Sequence, residues 1–328
     1  MKINRFGEEK IISLINSKVS TTSSKVVTGI GDDAAVIDAG DRYEIITTDM
    51  LVEGVHFNLG FTDAYHLGRK SLAINLSDIA AMGGEPLYYL VAISLPGHTK
   101  VQFVEELYRG MQDLALIHGA NLIGGDTVGA EEKVVIAVTA TGQVKKDEII
   151  FRHGAKPGDL VYVSGFLGDS AAGLKIMFEG LRGRLAPEIE NYLIKRHIDP
   201  EPRLNLGRRL AVNKLASALN DISDGLVKKL WEIARSSEVQ IKIDPETIPI
   251  SDQLGCFSKC LDLSPIDLAL HGGEDYELLF TVPPDQEVLL HKNKLLVKKI
   301  GRVVMKAVQG EVCNQDGHLL LDQGFMHF

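Results

Sequence analysis

The stretch VVTGIGDDAAVID, residues 26–38, joins a β-branched run to a glycine-rich turn. Its G-x-G-x-x-A spacing is close to that of a dinucleotide-binding turn, in which backbone N–H groups approach a pyrophosphate at a helix N-terminus. Asp32 and Asp33 stand where that pyrophosphate would lie, and two carboxylates there would repel it. The stretch therefore predicts a phosphate-binding turn only if cations lie between the carboxylates and the phosphates.

The length of the chain, 328 residues, favours two domains, each with a core of its own. No uninterrupted apolar run is long enough to cross a bilayer, so no membrane association is expected. Residues 1–18 mix charges with apolar positions and lack the order of a secretory signal, which favours a surface helix.

Net charge and cysteine content indicate which partners and which cellular location to expect. A net charge of −9, without a clustered Lys/Arg stretch, argues against a nucleic-acid partner. Cys256, Cys260 and Cys313 are odd in number, and no neighbouring His or Cys completes a zinc set around the first two. Reduced thiols and a cytoplasmic location are therefore predicted.

The first half of the chain alternates strand and helix signals. Residues 44–51 and 87–95 are apolar and β-branched, which predicts buried strands. Between them, a helix is predicted from its N-cap Asp63 to the Gly83-Gly84 pair. A second helix is predicted over about residues 100–118, followed by the strand KVVIAVTATGQV.

Residues 144–159 form a charged segment with a Gly-Ala-Lys-Pro-Gly cluster, which predicts a junction between two domains. The two domains are therefore expected to comprise residues 1–148 and 149–328. The second half again alternates strands and helices, and closes with a predicted strand pair around residues 297–304 and 318–321. The fold class is therefore expected to be α/β, in the mixed α+β sense.

Acidic side chains recur where predicted strands or helices end. Each alone fits a cap or a turn, and Asp63 and Asp224 fit the cap interpretation especially well. Asn75 and Asp78 are three apart on one helix and share a face, as a site pair or a solvated one. The five acidic turns are GIGDDAA (Asp32, Asp33), TTDML (Asp49), NLSD (Asp78), IGGDT (Asp126) and NDISDG (Asp221, Asp224).

Several carboxylates at one sheet edge cannot all stay ionised without cations, because like charges raise one another's pKa. Oxygen ligands of this kind suit Mg²⁺ that also binds substrate phosphates. The combination indicates phosphoryl transfer. Neither a P-loop motif nor a protein-kinase motif set is present, so a different ATP-binding scaffold is needed.

Seven motifs follow one another along the chain: GIGDDAAV, TTDMLVEGVHF, LAINLSDIAAMGGEP, LIGGDT, RHGAKPGDLVYVSGFLGDSAAGL, ISDGL and HGGEDYELLF. In this order they resemble those of the thiamine-monophosphate kinase family, within the aminoimidazole ribonucleotide synthetase-like ATP-binding superfamily. The resemblance implies a two-domain fold, with N-terminal strands that form a dimer-interface barrel with a second subunit. It also implies ATP-dependent phosphorylation of thiamine monophosphate to thiamine diphosphate by a homodimer.

Carried over by motif position, the resemblance implies three sets of site residues. His56 and Glu274 would contact thiamine monophosphate. Gly125, Asp126, Arg152 and Ser223 would contact the nucleotide. Several Mg²⁺ ions would be held by Asp33, Thr47, Thr48, Asp49, Asp78, Asp126, Asp221 and Asp224, with Asp32 as a further candidate.

Other interpretations of these residues stay open. His56 also fits a half-buried loop histidine, Arg152 a surface charge, and Glu274 an ordinary turn residue after two glycines. Another enzyme of the superfamily, of the aminoimidazole ribonucleotide synthetase or selenophosphate synthetase type, is an alternative. A catalytically silent nucleotide sensor is a third possibility, which the intact set of aspartates disfavours.

The chain departs from the family at its C-terminus. The family often carries a tryptophan near the end that packs on the thiamine rings, whereas the only tryptophan here is Trp231. Phe325 follows Gly324 and is the nearest aromatic candidate for this role. A phenylalanine packed in the core of the second domain is the alternative.

Overall fold

The computed structural model describes residues 7–322, and its first half is built on a six-stranded sheet. The sheet order is β1-β2-β3-β6-β4-β5, with every neighbouring pair antiparallel except β4 and β5. The strands are β1 Val26–Thr28, β2 Ala35–Asp38, β3 Arg42–Val52, β4 Glu85–Pro96, β5 Asn121–Ala130 and β6 Val135–Lys145.

Three helices belong to this half: α1 Glu8–Lys18, α2 Ala64–Ala81 and α3 Val101–His118. The predicted N-cap of α2 is confirmed, since the Asp63 side chain accepts a hydrogen bond from the backbone N–H of His66. Most of α2 is buried because it packs against β3 and β6 on one side and against helices on the other. This position explains why most of its side chains are apolar or small.

The second half has another mixed six-stranded sheet, in the order β12-β9-β11-β7-β10-β8. Its strands are β7 Leu160–Ser164, β8 Ala218–Ile222, β9 Val239–Ile243, β10 Glu277–Val282, β11 Val297–Lys306 and β12 Glu311–Asn314. Its helices are α4 Asp169–Phe178, α5 Pro187–Ile198, α6 Leu204–Val212, α7 Leu226–Ser237, α8 Asp252–Leu261, α9 Pro265–His271 and α10 Glu287–Lys292.

The two halves share their largest apolar cluster, where the sequence predicted separate cores. Side chains of α2, such as Leu72 and Ile79, belong to the same cluster as Leu219 and Phe280 of the second sheet. Two smaller clusters lie wholly in the second half. Helix α2 is therefore packed against both sheets, and residues on it are placed to reach a site between them.

Several local predictions from the sequence are wrong. Asp126 lies within strand β5 and not in a turn. Asp49, Asp78 and Asp221, also assigned to acidic turns, lie within β3, α2 and β8, and for Asp49 and Asp78 this agrees with the strand predicted over residues 44–51 and the helix predicted from Asp63. Asp224 is not the N-cap of α7: that position is Gly225, while Asp224 pairs with Lys228 at 2.9 Å. The last strand is β12, and residues 318–321 contribute only an isolated bridge through Leu319.

No helix within residues 7–322 has both the length and the apolar character needed to cross a bilayer.

Candidate active site

A cleft of about 950 Å³ opens between the two halves. The first half contributes the end of β3, the loop that follows it and one face of α2. The second half contributes α4, the turn between β8 and α7, and the segment 271–276 that leads into β10. The cleft is lined by eight of the residues singled out from the sequence: Thr48, Asp49, His56, Asp78, Asp221, Ser223, Asp224 and Glu274.

Three carboxylates form a cluster, and two of them, Asp78 and Asp221, line the cleft. One oxygen each of Asp33, Asp78 and Asp221 lies within 4.8 Å of the other two. Asp78 accepts a hydrogen bond from the Thr47 hydroxyl, and Asp221 accepts one of 2.7 Å from Ser77. The turn before β2, the buried helix α2 and the end of β8 thus converge on one point, although Asp33 and Asp221 are far apart in the sequence.

The electrostatics of this cluster disfavour several ionised carboxylates at once. Burial raises the pKa of Asp49 to about 6, and the nearby Asp221 carboxylate adds to the rise. Burial together with Asp49 and Asp221 raises the pKa of Asp78 well above its ordinary value. The pKa of Asp221 is likewise raised, first by burial, although Lys229 opposes the rise. A bound cation would reverse this trend by favouring the ionised forms.

Cationic side chains back the cluster on the side of α7. Arg152 donates to Asp33 at 2.7 Å and approaches Glu232 at 3.3 Å. Lys229 lies 3.5 Å from both Asp221 and Glu232. Burial alone would raise the pKa of Glu232, but Lys229 and Arg152 lower it to about 2. Asp33 and Asp221 are therefore oriented by a buried network of alternating charge.

The donor set fits a hard divalent cation. Asp33 Oδ2 and Asp221 Oδ1 are both buried and make no hydrogen bond among the described residues. Buried carboxylate oxygens without a donor are costly unless another partner satisfies them. Three carboxylates within 4.8 Å provide the oxygen-only ligands that Mg²⁺ prefers over nitrogen or sulfur. The cluster is thus a candidate magnesium centre.

Glu274 stands on another wall of the cleft in an unusual backbone conformation. Its φ of 62° is in the left-handed region, and its backbone N–H donates to the Ser223 carbonyl at 2.6 Å. Its carboxylate lies 2.9 Å from Lys70 Nζ and 3.1 Å from His197 Nδ1. Non-glycine residues in this region are strained and are retained where the surroundings demand them.

A third wall is apolar and aromatic. Leu174 and Phe178 of α4 line it together with Val55 from the loop after β3. Phe178 also meets Phe61 of the same loop, with ring centroids 5.3 Å apart. His56 is oriented by its Nδ1, which accepts the backbone N–H of Val52 at 3.0 Å. The cleft therefore combines an acidic cluster with a surface suited to an organic ring system.

Some predicted site residues lie apart from the acidic cluster. Gly125 and Asp126 are on the edge strand β5, and two strands separate β5 from β3, so these two strands are roughly 14 Å apart along the sheet at a strand spacing of about 4.8 Å. Thr48 faces the opposite side of the sheet from Thr47, and its hydroxyl donates to the Val138 carbonyl. Phe325 lies outside the described residues 7–322.

Four residues near the site, Lys70, His197, Lys229 and Glu232, belong to no motif that marked them in the sequence. Lys229 and Glu232 are three apart on α7, a spacing typical of solvated helix surfaces. Lys70 is buried on α2, where its neighbour Arg69 is only partly so, and burial of this kind becomes visible only in the fold. Buried lysines are rare unless they are paired.

Two family models match this chain. AIR synthase related protein, N-terminal domain, matches residues 31–144, and AIR synthase related protein, C-terminal domain, matches residues 156–313. The two halves of the fold are therefore those of the AIR synthase related class.

Relatives define the position of the chain within that class. It is 40% identical to the thiamine-monophosphate kinase of Bacillus subtilis strain 168, over 93% of this chain and 94% of that protein. It is 36% identical to the one from Aquifex aeolicus strain VF5 over the full length of both. A solved structure of AaThiL complexed with AMPPCP and TMP superimposes with a TM-score of 0.90 at 35% identity, covering 100% and 99% of the two chains. The chain belongs to the thiamine-monophosphate kinase family.

Proposed function

We propose that the chain transfers the γ-phosphoryl group of ATP to the phosphate of thiamine monophosphate, which gives thiamine diphosphate and ADP. One observation carries the proposal: Asp78 and Asp221, two of the three clustered carboxylates, line the same cleft as an apolar wall with an exposed aromatic ring. The carboxylates suit a metal-bound polyphosphate, and the wall suits the rings of thiamine. Membership of the family supports the same pairing of substrates.

The transfer proceeds by direct in-line attack. A phosphate oxygen of thiamine monophosphate forms a bond to the γ-phosphorus, and the bond from that phosphorus to the β,γ-bridging oxygen breaks. The electron pair of the broken bond leaves with ADP. Because the attacking oxygen belongs to an ionised phosphate, no strong general base is required. The protein contributes chiefly by positioning and by electrostatic stabilisation.

The residues of the chain divide this work. Bound Mg²⁺ would neutralise charge on the transferred phosphoryl group. Arg152 and Lys229 keep Asp33 and Asp221 oriented through contacts of 2.7 and 3.5 Å. His56 and Glu274 would bind thiamine monophosphate. The proposed metal ligands are Asp33, Thr47, Thr48, Asp49, Asp78, Asp126, Asp221 and Asp224, and the proposed nucleotide contacts are Gly125, Asp126, Arg152 and Ser223.

Phe178 and Phe325 are the two aromatic candidates for contact with the thiamine rings. Phe178 lines the cleft and is 56% exposed, so it offers an accessible aromatic face to thiamine. The role of Phe325 as a ring platform stays a prediction from the sequence.

The domain boundary at 148/149 and a cytoplasmic location also stay predictions. All three cysteines are free thiols, as a cytoplasmic location would require.

We further propose a homodimer in which β5 joins the sheet of a second copy. Strand β5 is at the edge of its sheet, and nine of its ten residues are exposed. Leu122, Ile123 and Val128 present apolar side chains there. A long, apolar, unprotected edge invites pairing with another strand. Such pairing would also give Asp126, remote from the cluster of its own chain, a route to the site of the partner.

The decisive experiment is incubation with Mg-ATP and thiamine monophosphate, followed by chromatographic separation of the thiamine phosphates and the adenine nucleotides. We expect thiamine diphosphate and ADP in equal amounts, and a far slower reaction with free thiamine, which lacks the attacking phosphate. Free phosphate without thiamine diphosphate would overturn the proposal and favour a synthetase of the same class. Nucleotide binding without turnover would favour the sensor.

A further inference from the structure

The side chain of Lys70 is almost completely buried, with 2% of its surface exposed. It belongs to α2, yet its ammonium group reaches across to the second half of the protein and contacts Glu274 Oε1 at 2.9 Å. Lys70 is not among the described residues that line the cleft, whereas Glu274 is. A buried cation is costly unless it is paired. The contact with Glu274 is therefore what allows the Lys70 ammonium group to be buried.

The other oxygen of Glu274 is anchored as well. Glu274 Oε2 lies 3.1 Å from Nδ1 of His197, a buried residue of α5. The same nitrogen lies 3.0 Å from the Ser170 hydroxyl at the start of α4. The backbone of Glu274 is held by its 2.6 Å hydrogen bond to Ser223. Both carboxylate oxygens and the main chain are thus positioned from three separate elements.

These contacts leave Glu274 able to accept further hydrogen bonds. Each carboxylate oxygen has two acceptor positions, and 25% of the side chain stays exposed. Burial alone would raise the pKa of Glu274, but Lys70 and then His197 lower it below its ordinary value. Glu274 is therefore an ionised, oriented acceptor on the cleft wall, suited to an amino group or a cationic ring of a bound molecule.

We propose that Lys70 is a positioning residue for substrate recognition: by its ion pair it turns the Glu274 carboxylate toward the cleft, where Glu274 accepts a hydrogen bond from the thiamine portion of the substrate. Lys70 acts through Glu274 and touches neither substrate. The proposal rests on the proposed function. It predicts a defect confined to thiamine monophosphate, because Lys70 contacts the Glu274 carboxylate, whereas the link from Glu274 to the proposed nucleotide residue Ser223 runs through backbone atoms.

The test compares Lys70→Met with Glu274→Gln and with the double variant. Both steady-state constants and the calorimetric Kd for thiamine monophosphate are measured for each protein. Lys70→Met should raise KM and Kd for thiamine monophosphate about tenfold, equivalent to about 1.4 kcal/mol, and change KM for ATP less than about twofold. Because both side chains serve one interaction, the double variant should bind no worse than Glu274→Gln alone.

Arg69→Met is the matched control. Arg69 is the neighbouring residue on α2 and also pairs with the second half, through Asp199 at 2.6 Å, but is not among the described residues that line the cleft. Its loss should lower the melting temperature and leave KM and Kd for thiamine monophosphate within about twofold of the wild-type values. An equal defect in both variants would show that Lys70 only connects the two halves, which would overturn the proposal.

Lys70→Arg keeps the charge and covers the case in which Lys70→Met does not fold. It should bind thiamine monophosphate within about threefold of wild type, and a loss as large as that of Glu274→Gln would refute the positioning role. Additive defects in the double variant, or an unchanged Kd in Lys70→Met, would refute it too. If wild type binds thiamine monophosphate without transferring phosphate, the proposed function fails while the binding data still decide on Lys70.

Discussion

Replacing Gly125 by alanine tests whether this glycine serves the nucleotide or the packing of the sheet. Gly125 is the register partner of Val91 in the parallel pair β4 and β5. A Cβ atom added to Gly125 would lie 2.0 Å from the Val91 carbonyl oxygen and 2.9 Å from its carbonyl carbon. These are backbone atoms, so they cannot rotate away as a side chain would. The edge strand itself would have to move by about 1 Å or more to restore ordinary contact distances.

Such overpacking costs about 1–3 kcal/mol. In a domain of about 150–250 residues each kcal/mol lowers the melting temperature by about 2–4 °C. Gly124→Ala is the matched control, because a Cβ at Gly124 meets only a Leu90 methyl group at 3.8 Å. We therefore expect Gly125→Ala to melt roughly 2–12 °C below wild type in a thermal scan, and Gly124→Ala to melt within about 2 °C of it.

The KM for ATP separates the two roles of Gly125. A Gly125→Ala protein that melts like wild type would refute the packing argument. If such a protein also showed a raised KM for ATP, Gly125 would be a nucleotide contact, as its motif position implies. Equal destabilisation by both alanine substitutions would show that β5 tolerates no side chain at either glycine, and would remove the significance of the 2.0 Å contact.

Three other perturbations have expected outcomes. Asp49→Asn should lower kcat about 100-fold or more with an unchanged circular-dichroism spectrum. The control Asp41→Asn, at an exposed position, should leave kcat unaltered. If Asp49→Asn lowered kcat less than about threefold, under 1 kcal/mol of barrier, Asp49 would have no part in the site. Burial and Lys70 lower the pKa of His197 from 6.5 to about 4, so the folded protein should lose about 2 kcal/mol of stability between pH 8 and pH 5, where only the unfolded chain binds the proton. Urea titrations at both pH values should show that His197→Asn lacks this part of the loss, and an identical loss in both proteins would contradict it. Ile123→Glu on β5 should be a monomer in light scattering and have low activity. Ile117→Glu on α3, at a position that is also exposed, should stay dimeric. A dimeric Ile123→Glu protein would count against the β5 interface.

The parts of the fold that were predictable from the sequence are those set by local chemistry. Helix α2 is one example, because the N-cap Asp63 and the glycine pair at its end are sequence neighbours of the residues they influence. Strands β3 and β4 are another, since stretches rich in β-branched and aromatic residues favour the extended conformation. Asp33 and Asp221 could be selected as site candidates because each lies in a short polar motif, Asp33 just before β2 and Asp221 near the end of β8.

Strand β5 shows where local chemistry fails. Its Leu-Ile-Gly-Gly-Asp-Thr segment is typical of a turn, and the paired glycines favour no strand of their own. It is extended because β4, more than 30 residues away in the register, supplies a parallel row of hydrogen-bonding partners. Gly125 is even required there by the close approach of the Val91 backbone. Non-local pairing of this kind leaves no periodic signal in the sequence.

The residue types of the site follow from the order of amino acids: aspartates in short motifs that need cations, with glycines beside them. Which of these carboxylates share one point follows from the packed fold, which brings Asp33, Asp78 and Asp221 together. It alone also assigned Lys70 to Glu274, and Arg152 to Asp33. The physical reason is that a charge within a sequence motif carries no record of its partner, because ion pairs form through space between elements that the packing of apolar faces brings together.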